Sequence, residues 1–435
     1  MDKPTIVKNN PYSSRPEIWG GVECTINRVN DTYRDQLQET GHYTRPQDIQ
    51  EFAALGIRKL RYPILWEKHQ PTADVAIDWN WTNQQLKMIY DSGIEPIVGL
   101  LHHGSGPPFT DLCDDEFPYK LAAYSYQVAK KFPSILYYTP INEPLTTARF
   151  SGLYGYWYPH HKNELSFVKM LLNQVKGIVL SMQAIRKINP FARLVQTEDL
   201  PKTHSTPALS YQALFENKRR WLTYDLLCGR VNSKHFFWSY FVALGIPEAD
   251  LWFFVENKCM PNIMGFNYYV TSERYLDENL ANYPVAIHGG NGKIKYADTE
   301  AVRVTQLAGL EFLLTEAWNR YQVPIAITEC HLGCTPEEQL RWFKQTWDTC
   351  CTLKENGMDL RGVTAWSLLG SYDWNSLLTS CNGHYEAGVF DVRNGKCNPT
   401  DLARLILALA TKGYSENPLL VRPGWWNIPA TPANI

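Results

Sequence analysis

The chain has 435 residues, is 44% hydrophobic and 20% charged, and carries a formal net charge of −2. Such a chain can fill one very large globular domain or two to three average ones, and its near-neutrality argues against nucleic acid or an acidic membrane surface as partner. The start, MDKPTIVKNNPYSSRPE, lacks a secretory apolar segment, no apolar run approaches bilayer length, and the ten cysteines show no disulfide-framework spacing, so a cytoplasmic protein with reduced thiols is expected.

Strand-like runs recur along the chain, most of them followed by helical stretches. Ile18 to Glu23 comes first. RPQDIQEFAALG reads as a helix closed by Gly56 and leads into Ile57 to Tyr62. TNQQLKMIYDSG, again ending on glycine, leads into Ile94 to Leu101. Ile135 to Ile141 follows, then the long apolar-periodic stretch LSFVKMLLNQVKGIVLSMQAIRKINP, then Arg193 to Thr197. Asn262 to Asn267, Pro324 to Thr328 and Gly362 to Trp366 complete a set of eight. Strands alternating with helices predict a parallel sheet with crossover helices, and eight such units predict a single large (β/α)8 TIM barrel over residues 1–415. An insertion is expected at about 200–260, and the Pro/Asn-rich residues 416–435 are expected to form a C-terminal wrap or a linker.

A barrel of this kind carries its chemistry at the C-terminal ends of the strands. Taken in order, those ends deliver Glu23, Arg61, His102 and His103, Asn142 and Glu143, Glu198, Asn267 with Tyr268 and Tyr269, Glu329, and Trp366. One acid after a strand is commonly a helix cap. Two glutamates at opposite mouths, with Asn, His, Arg and Tyr between them, point to a site. A carboxyl pair across a pocket is the apparatus of glycoside hydrolysis, and the separation of the pair decides between retention and inversion. Aromatic residues reach 13% of the chain, with 15 Trp and 25 Tyr, a supply suited to stacking on sugar rings as well as to a large core. No metal or other cofactor is expected: Cys330-His331-Leu332-Gly333-Cys334 has no second ligand pair at zinc spacing.

The motifs at these mouths resemble glycoside hydrolase family 1, a family of retaining β-glucosidases. TPINEP resembles its acid/base motif and PIAITEC its nucleophile strand. GFNYYVTS, WSLLGSYDW, RYPILWEKHQP, VGLLHH, WLTYDLLCGRV and GLYGYWYPHH resemble further segments in the same order, from about Trp19 to Leu409. The resemblance implies a retaining β-glycosidase with Glu143 as acid/base and Glu329 as nucleophile. It implies that Asn142 binds the sugar 2-hydroxyl, that Arg61 and Tyr269 hold the nucleophile, and that His102 binds a glycone hydroxyl. Trp366 would floor the glycone pocket, with Asp373 and Trp374 at its far end and Glu23 nearest the place of a glycone-binding Gln.

Several positions depart from the family pattern. Cys330-His331 replaces Asn-Gly after the nucleophile, and His103 replaces a Trp. Asp373 stands for a longer Glu, and Gly370-Ser371 for Asp-Asn. These changes alter the glycone contacts and favour a sugar other than plain glucose. The competing reading is a non-catalytic or transglycosylating sugar-recognition domain acting with a fused sugar-nucleotide enzyme, since family branches of this general look occur joined to a dTDP-4-dehydrorhamnose reductase-like domain. On either reading the partner is a small-molecule or oligosaccharide glycoside.

Overall fold

A computed structural model describes residues 15–428. Most of the N-terminal stretch behind the leader expectation, residues 1–14, and the end of the expected tail, residues 429–435, lie outside the described residues.

Eight parallel strands close into a barrel: β1 (Glu17–Gly21), β2 (Lys59–Pro63), β3 (Glu95–Gly99), β4 (Tyr137–Thr139), β5 (Arg193–Asp199), β6 (Ile263–Asn267), β7 (Ile325–Cys330) and β8 (Leu360–Ala365). β1 closes the ring by pairing with β8, Ile18 opposite Val363, and with β2, Gly20 opposite Leu60. The fold is therefore the (β/α)8 barrel expected from the alternation of elements. Inside it, Trp19, Ile97, Tyr137, Val195, Ile263 and Ala326 pack as one buried cluster. A much larger apolar layer lies between the strands and the surrounding helices.

Helices α1 (Asp48–Ala54), α2 (Asn80–Asp91), α3 (Phe117–Lys131), α4 (Glu164–Ile188), α5 (Gly309–Tyr321), α6 (Pro336–Glu355) and α7 (Asp401–Thr411) surround the sheet. Gly56, just past α1, has φ +73°, the left-handed turn that a glycine takes without penalty, and lets the chain reverse into β2. α4 is capped by Asn163, whose side chain accepts from the Ser166 amide at 2.8 Å. α4 also corrects one expectation. It is long and apolar enough to cross a bilayer, but 72% of its most apolar window is buried inside the molecule. Its apolarity serves packing against α3 and the sheet.

The largest excursions from the barrel follow β5 and β6. Between β5 and β6 lie the strand Lys202–Ser205 and the helices Ser210–Arg219, Leu222–Leu227, Trp238–Ala243 and Glu248–Glu256. Between β6 and β7, the strands Glu273–Asp277, His288–Gly290 and Lys295–Glu300 join Lys202–Ser205 in a four-stranded sheet. After α7 the chain runs back along α6, where Trp426 is buried edge-on against Trp342 and donates to Gln345 at 2.8 Å.

Strands β3 and β4 are shorter than their apolar runs. The chain leaves the ladder early, yet single bridges continue it at the mouth, pairing His102 with Asn142 and Asn142 with Thr197. In β7 the register against β6 shifts between Ile327 and Glu329, a bulge that re-aims the strand end.

Candidate active site

Glu143 lies one residue past the Asn142 bridge, with its amide on the Thr197 carbonyl at 3.3 Å and φ +46°. A left-handed conformation at a non-glycine residue costs on the order of 1–3 kcal/mol and needs support from its surroundings. Two features provide it. Pro144 starts the short helix Pro144–Ala148 immediately afterwards. Buried Glu198 then caps that helix, accepting from the Leu145 amide at 3.0 Å and from the Thr223 hydroxyl at 2.7 Å.

Glu329 arrives from the opposite side of the ring on the bulged end of β7. Arg61, from β2, donates to its Oε1 at 2.9 Å and to the Thr328 carbonyl at 2.6 Å. The second guanidinium nitrogen reaches Asn142 Oδ1 at 2.8 Å, and the Tyr269 hydroxyl donates to Glu329 Oε2 at 2.5 Å. Asn267 lies between the two acids. Its amide donates to Glu143 Oε1 at 2.5 Å, while its Oδ1 accepts from Thr328 at 2.7 Å. Both glutamates are buried, at 5% and 2% exposure.

The electrostatics of the two acids differ. Burial pushes both above the ordinary carboxylate range. At Glu143 the neighbouring carboxylates Glu329, Asp199 and Glu198 push further in the same direction, so its carboxyl lies well up. At Glu329 the Arg61 guanidinium and the Tyr269 hydroxyl oppose the rise. The arrangement therefore separates a proton holder from a carboxylate held beside a cation.

The flanking residues complete the cluster at the barrel mouth. His102 stacks on Trp366, with ring centroids 5.3 Å apart and planes 14° apart, and Arg61 covers the same indole at 4.4 Å. Burial and Arg61 push His103 down to about 3; burial, His103 and Arg61 likewise hold His102 well below the usual imidazole range, so both rings are neutral. Glu23, two residues past β1, accepts from the Thr25 amide at 2.9 Å, and burial lifts it to about 7. Asn142 is gripped on three sides, by Arg61, by the Thr197 hydroxyl at 2.7 Å and by His103 at 3.1 Å.

Trp374 sits beside His103, with centroids 5.5 Å apart. Asp373 differs from the expected sugar contact. It is fully buried, and its carboxylate already accepts from Arg34 at 2.9 Å and from the amides of Asn382, Gly383 and His384. A shorter acid at this position turns toward the protein and fastens the loop around it.

Three contributors make contacts that the sequence did not assign to them. His103, expected only as a strand-mouth residue in place of a Trp, reaches Asn142 and lies 3.9 Å from Glu143. Asn267 was visible at its strand mouth, within GFNYY, but its bond to Glu143 joins residues far apart in the chain. Trp157 packs against both His103 and Trp374, and only its place in the aromatic run YGYWY hinted at it.

A model of the family described as glycosyl hydrolase family 1 matches residues 18–385. Among solved structures, the chain is similar to a family 1 β-glucosidase from Thermotoga maritima, with a TM-score of 0.73, 16% identity, and coverage of 94% of this chain and 100% of that one. The β-glucosidase from Thermotoga maritima in complex with cyclophellitol gives a TM-score of 0.74 at 15% identity, covering 94% and 100%. Its complex with glucoimidazole gives 0.73 at 15%, covering 92% and 99%. Identities this low speak for the shared fold. The family match covers most of the barrel, including both buried glutamates: the chain belongs to glycosyl hydrolase family 1 and is a glycoside hydrolase.

Proposed function

We propose that the protein hydrolyses a β-glycoside with retention, by double displacement. A Glu329 carboxylate oxygen attacks the anomeric carbon as the bond to the leaving oxygen breaks and Glu143 gives that oxygen its proton. Glu143, then ionised, takes a proton from water; the water oxygen bonds to the anomeric carbon, and Glu329 leaves. The observation that carries this reading is the contrast between the two buried acids, one surrounded by carboxylates and the other held by Arg61 and Tyr269.

In this reading Asn142 binds the 2-hydroxyl, a contact that tightens in the transition state. His102 meets a glycone hydroxyl, Trp366 lies under the sugar face, and Glu23 and Trp374 border the glycone. Asp373 shapes the wall through Arg34 and the 382–384 loop rather than by touching sugar, which leaves the outer hydroxyls less constrained than a carboxylate grip would. We place the protein in a reducing, cytoplasmic setting, a reading supported by its ten free cysteines. As for domain boundaries, we propose one barrel domain over 1–415, followed by a wrap.

The test is trapping. The protein is incubated with activated 2-deoxy-2-fluoro β-glycosides of several glycones, followed by intact mass and peptide mapping. A covalent adduct on Glu329 is expected. Sugar binding without adduct or turnover on any glycone would replace hydrolysis with sugar recognition.

A further inference from the structure

Arg149 closes the short helix that begins just after Glu143. Five residues of helix separate the two, so the Arg149 backbone stands about 9 Å further along the same segment, and its guanidinium lies over the Tyr154 ring at 5.5 Å, itself 6.1 Å from Phe150. A chain of aromatic rings connects this place to the pocket. Trp157 lies 5.5 Å from His103, Phe150 lies 4.9 Å from Trp157, and Tyr156 lies 5.7 Å from Phe150 with 45% of its surface exposed. A π-type turn over Arg149–Leu153 displaces the backbone here, a distortion that recurs at functional sites.

The guanidinium is half-buried and makes no ion pair among the described residues, although Tyr154, Glu216 and Asp199 lie near enough to favour its charge against burial. Its Nε is buried without a hydrogen bond, and Nη2 has only a long 3.4 Å contact with the Tyr154 hydroxyl. Among the described residues, no carboxylate lies within ion-pair distance of it. The acids facing it are engaged elsewhere: Asp199 accepts from Ser272 at 2.6 Å, and Glu216 accepts from Thr203 at 2.9 Å and Gln212 at 3.0 Å. Other basic groups on neighbouring elements do have partners, Arg274 with Asp298 and Arg220 with Glu316. A buried guanidinium is costly unless an anion meets its fork of donors.

We infer that the leaving-group side of the pocket takes an aglycone bearing an oxyanion, a carboxylate or a phosphate, which Arg149 receives beside the aromatic wall of Phe150 and Tyr156. This rests on the glycosidase reading above. The aromatic wall favours an aryl aglycone, and the cation sets its charge.

The test uses paired aryl β-glycosides, carried on the same glycone panel, bearing a para-carboxylate, a para-phosphate or the neutral para-methyl ester. Wild type is expected to favour an anionic member over the ester in kcat/KM by roughly tenfold or more, the scale of one hydrogen bond to a charged group. That ratio should collapse in Arg149→Met and return in part in Arg149→Lys. The carboxylate and phosphate arms distinguish the two anions. Calorimetric titration with 4-hydroxybenzoate, 4-hydroxyphenyl phosphate and phenol supplies a readout independent of turnover. Anion binding that depends on Arg149 in a protein inert to every glycoside would leave the anion site standing and remove the hydrolase mechanism. Turnover with the same ester-to-anion ratio in wild type and Arg149→Met would overturn the inference and leave the mechanism intact.

Discussion

Tyr269 and Arg61 act on opposite oxygens of one carboxylate, and each lowers the cost of keeping Glu329 ionised. Removing the phenol hydroxyl takes away a hydrogen bond to the charged form, so the Glu329 pKa rises. Tyr269→Phe is therefore expected to move the acid limb of the kcat/KM–pH profile to higher pH, read directly from that profile; a limb that stays in place would detach Tyr269 from the ionisation of Glu329. Glu143 predicts a different signature. Glu143→Gly should slow turnover of a poor leaving group by about 10²–10⁴-fold, the range for a lost general acid. Azide should restore turnover of an activated substrate, giving a glycosyl azide of unchanged anomeric configuration. At this scale the two glutamates, Asn142 and Arg61 were legible because each sits at a strand mouth inside a recognisable motif. Asp373 was legible as a position but not as an interaction, since its partner Arg34 is 339 residues away and nothing local signals the pairing.

Glu198 and Gly21 show how the elements hold those residues. Glu198 stands at the end of β5 and caps the helix whose first residue follows Glu143. Its loss frees the Leu145 amide, and a missing cap costs typically about 1 kcal/mol. Glu198→Ala is expected to lower the melting temperature modestly and kcat substantially, because the left-handed Glu143 loses its support. A melting-temperature change with unaltered kcat would reduce Glu198 to a stability element. Gly21, in β1, lies against the indole that stacks on His102: a Cβ there would come within 2.5 Å of Trp366 Cε3. Gly21→Ala should raise KM for glycosides by tilting that ring. The eight strands could be read from apolar runs between glycine-closed helices, with their ends displaced by a few residues. The shortening of β3 and β4 and the bulge in β7 were not visible, because cross-strand register is decided by packing inside the barrel. The same holds for the sheet built from Glu273–Asp277, His288–Gly290, Lys295–Glu300 and Lys202–Ser205, whose strands come from two separate excursions.

Over the whole molecule, the barrel mouth concentrates buried acids, and the cost appears in the pH dependence of stability. Glu67 is buried beside the pocket loops with no cation paired to it among the described residues, and burial lifts it from 4.5 to about 8. In the unfolded chain it releases its proton near 4.5, while in the folded chain it keeps it until about 8. Between those values the folded state holds one more proton, so its stability falls as pH rises, by at most about 1.4 kcal/mol per unit of pH from this group. Glu67→Gln cannot titrate. Denaturant unfolding from pH 5 to pH 8 should therefore show a shallower decline in the variant, and equal slopes would contradict the burial argument. The Arg34–Asp373 pair carries a further implication for biogenesis. It fastens the excursion after the first strand to the loop after the last, so during synthesis this side of the barrel mouth stays open until residue 373 has emerged. A nascent chain halted before residue 373 would leave Arg34 with Glu39 as its carboxylate partner and the first and last strand mouths unjoined.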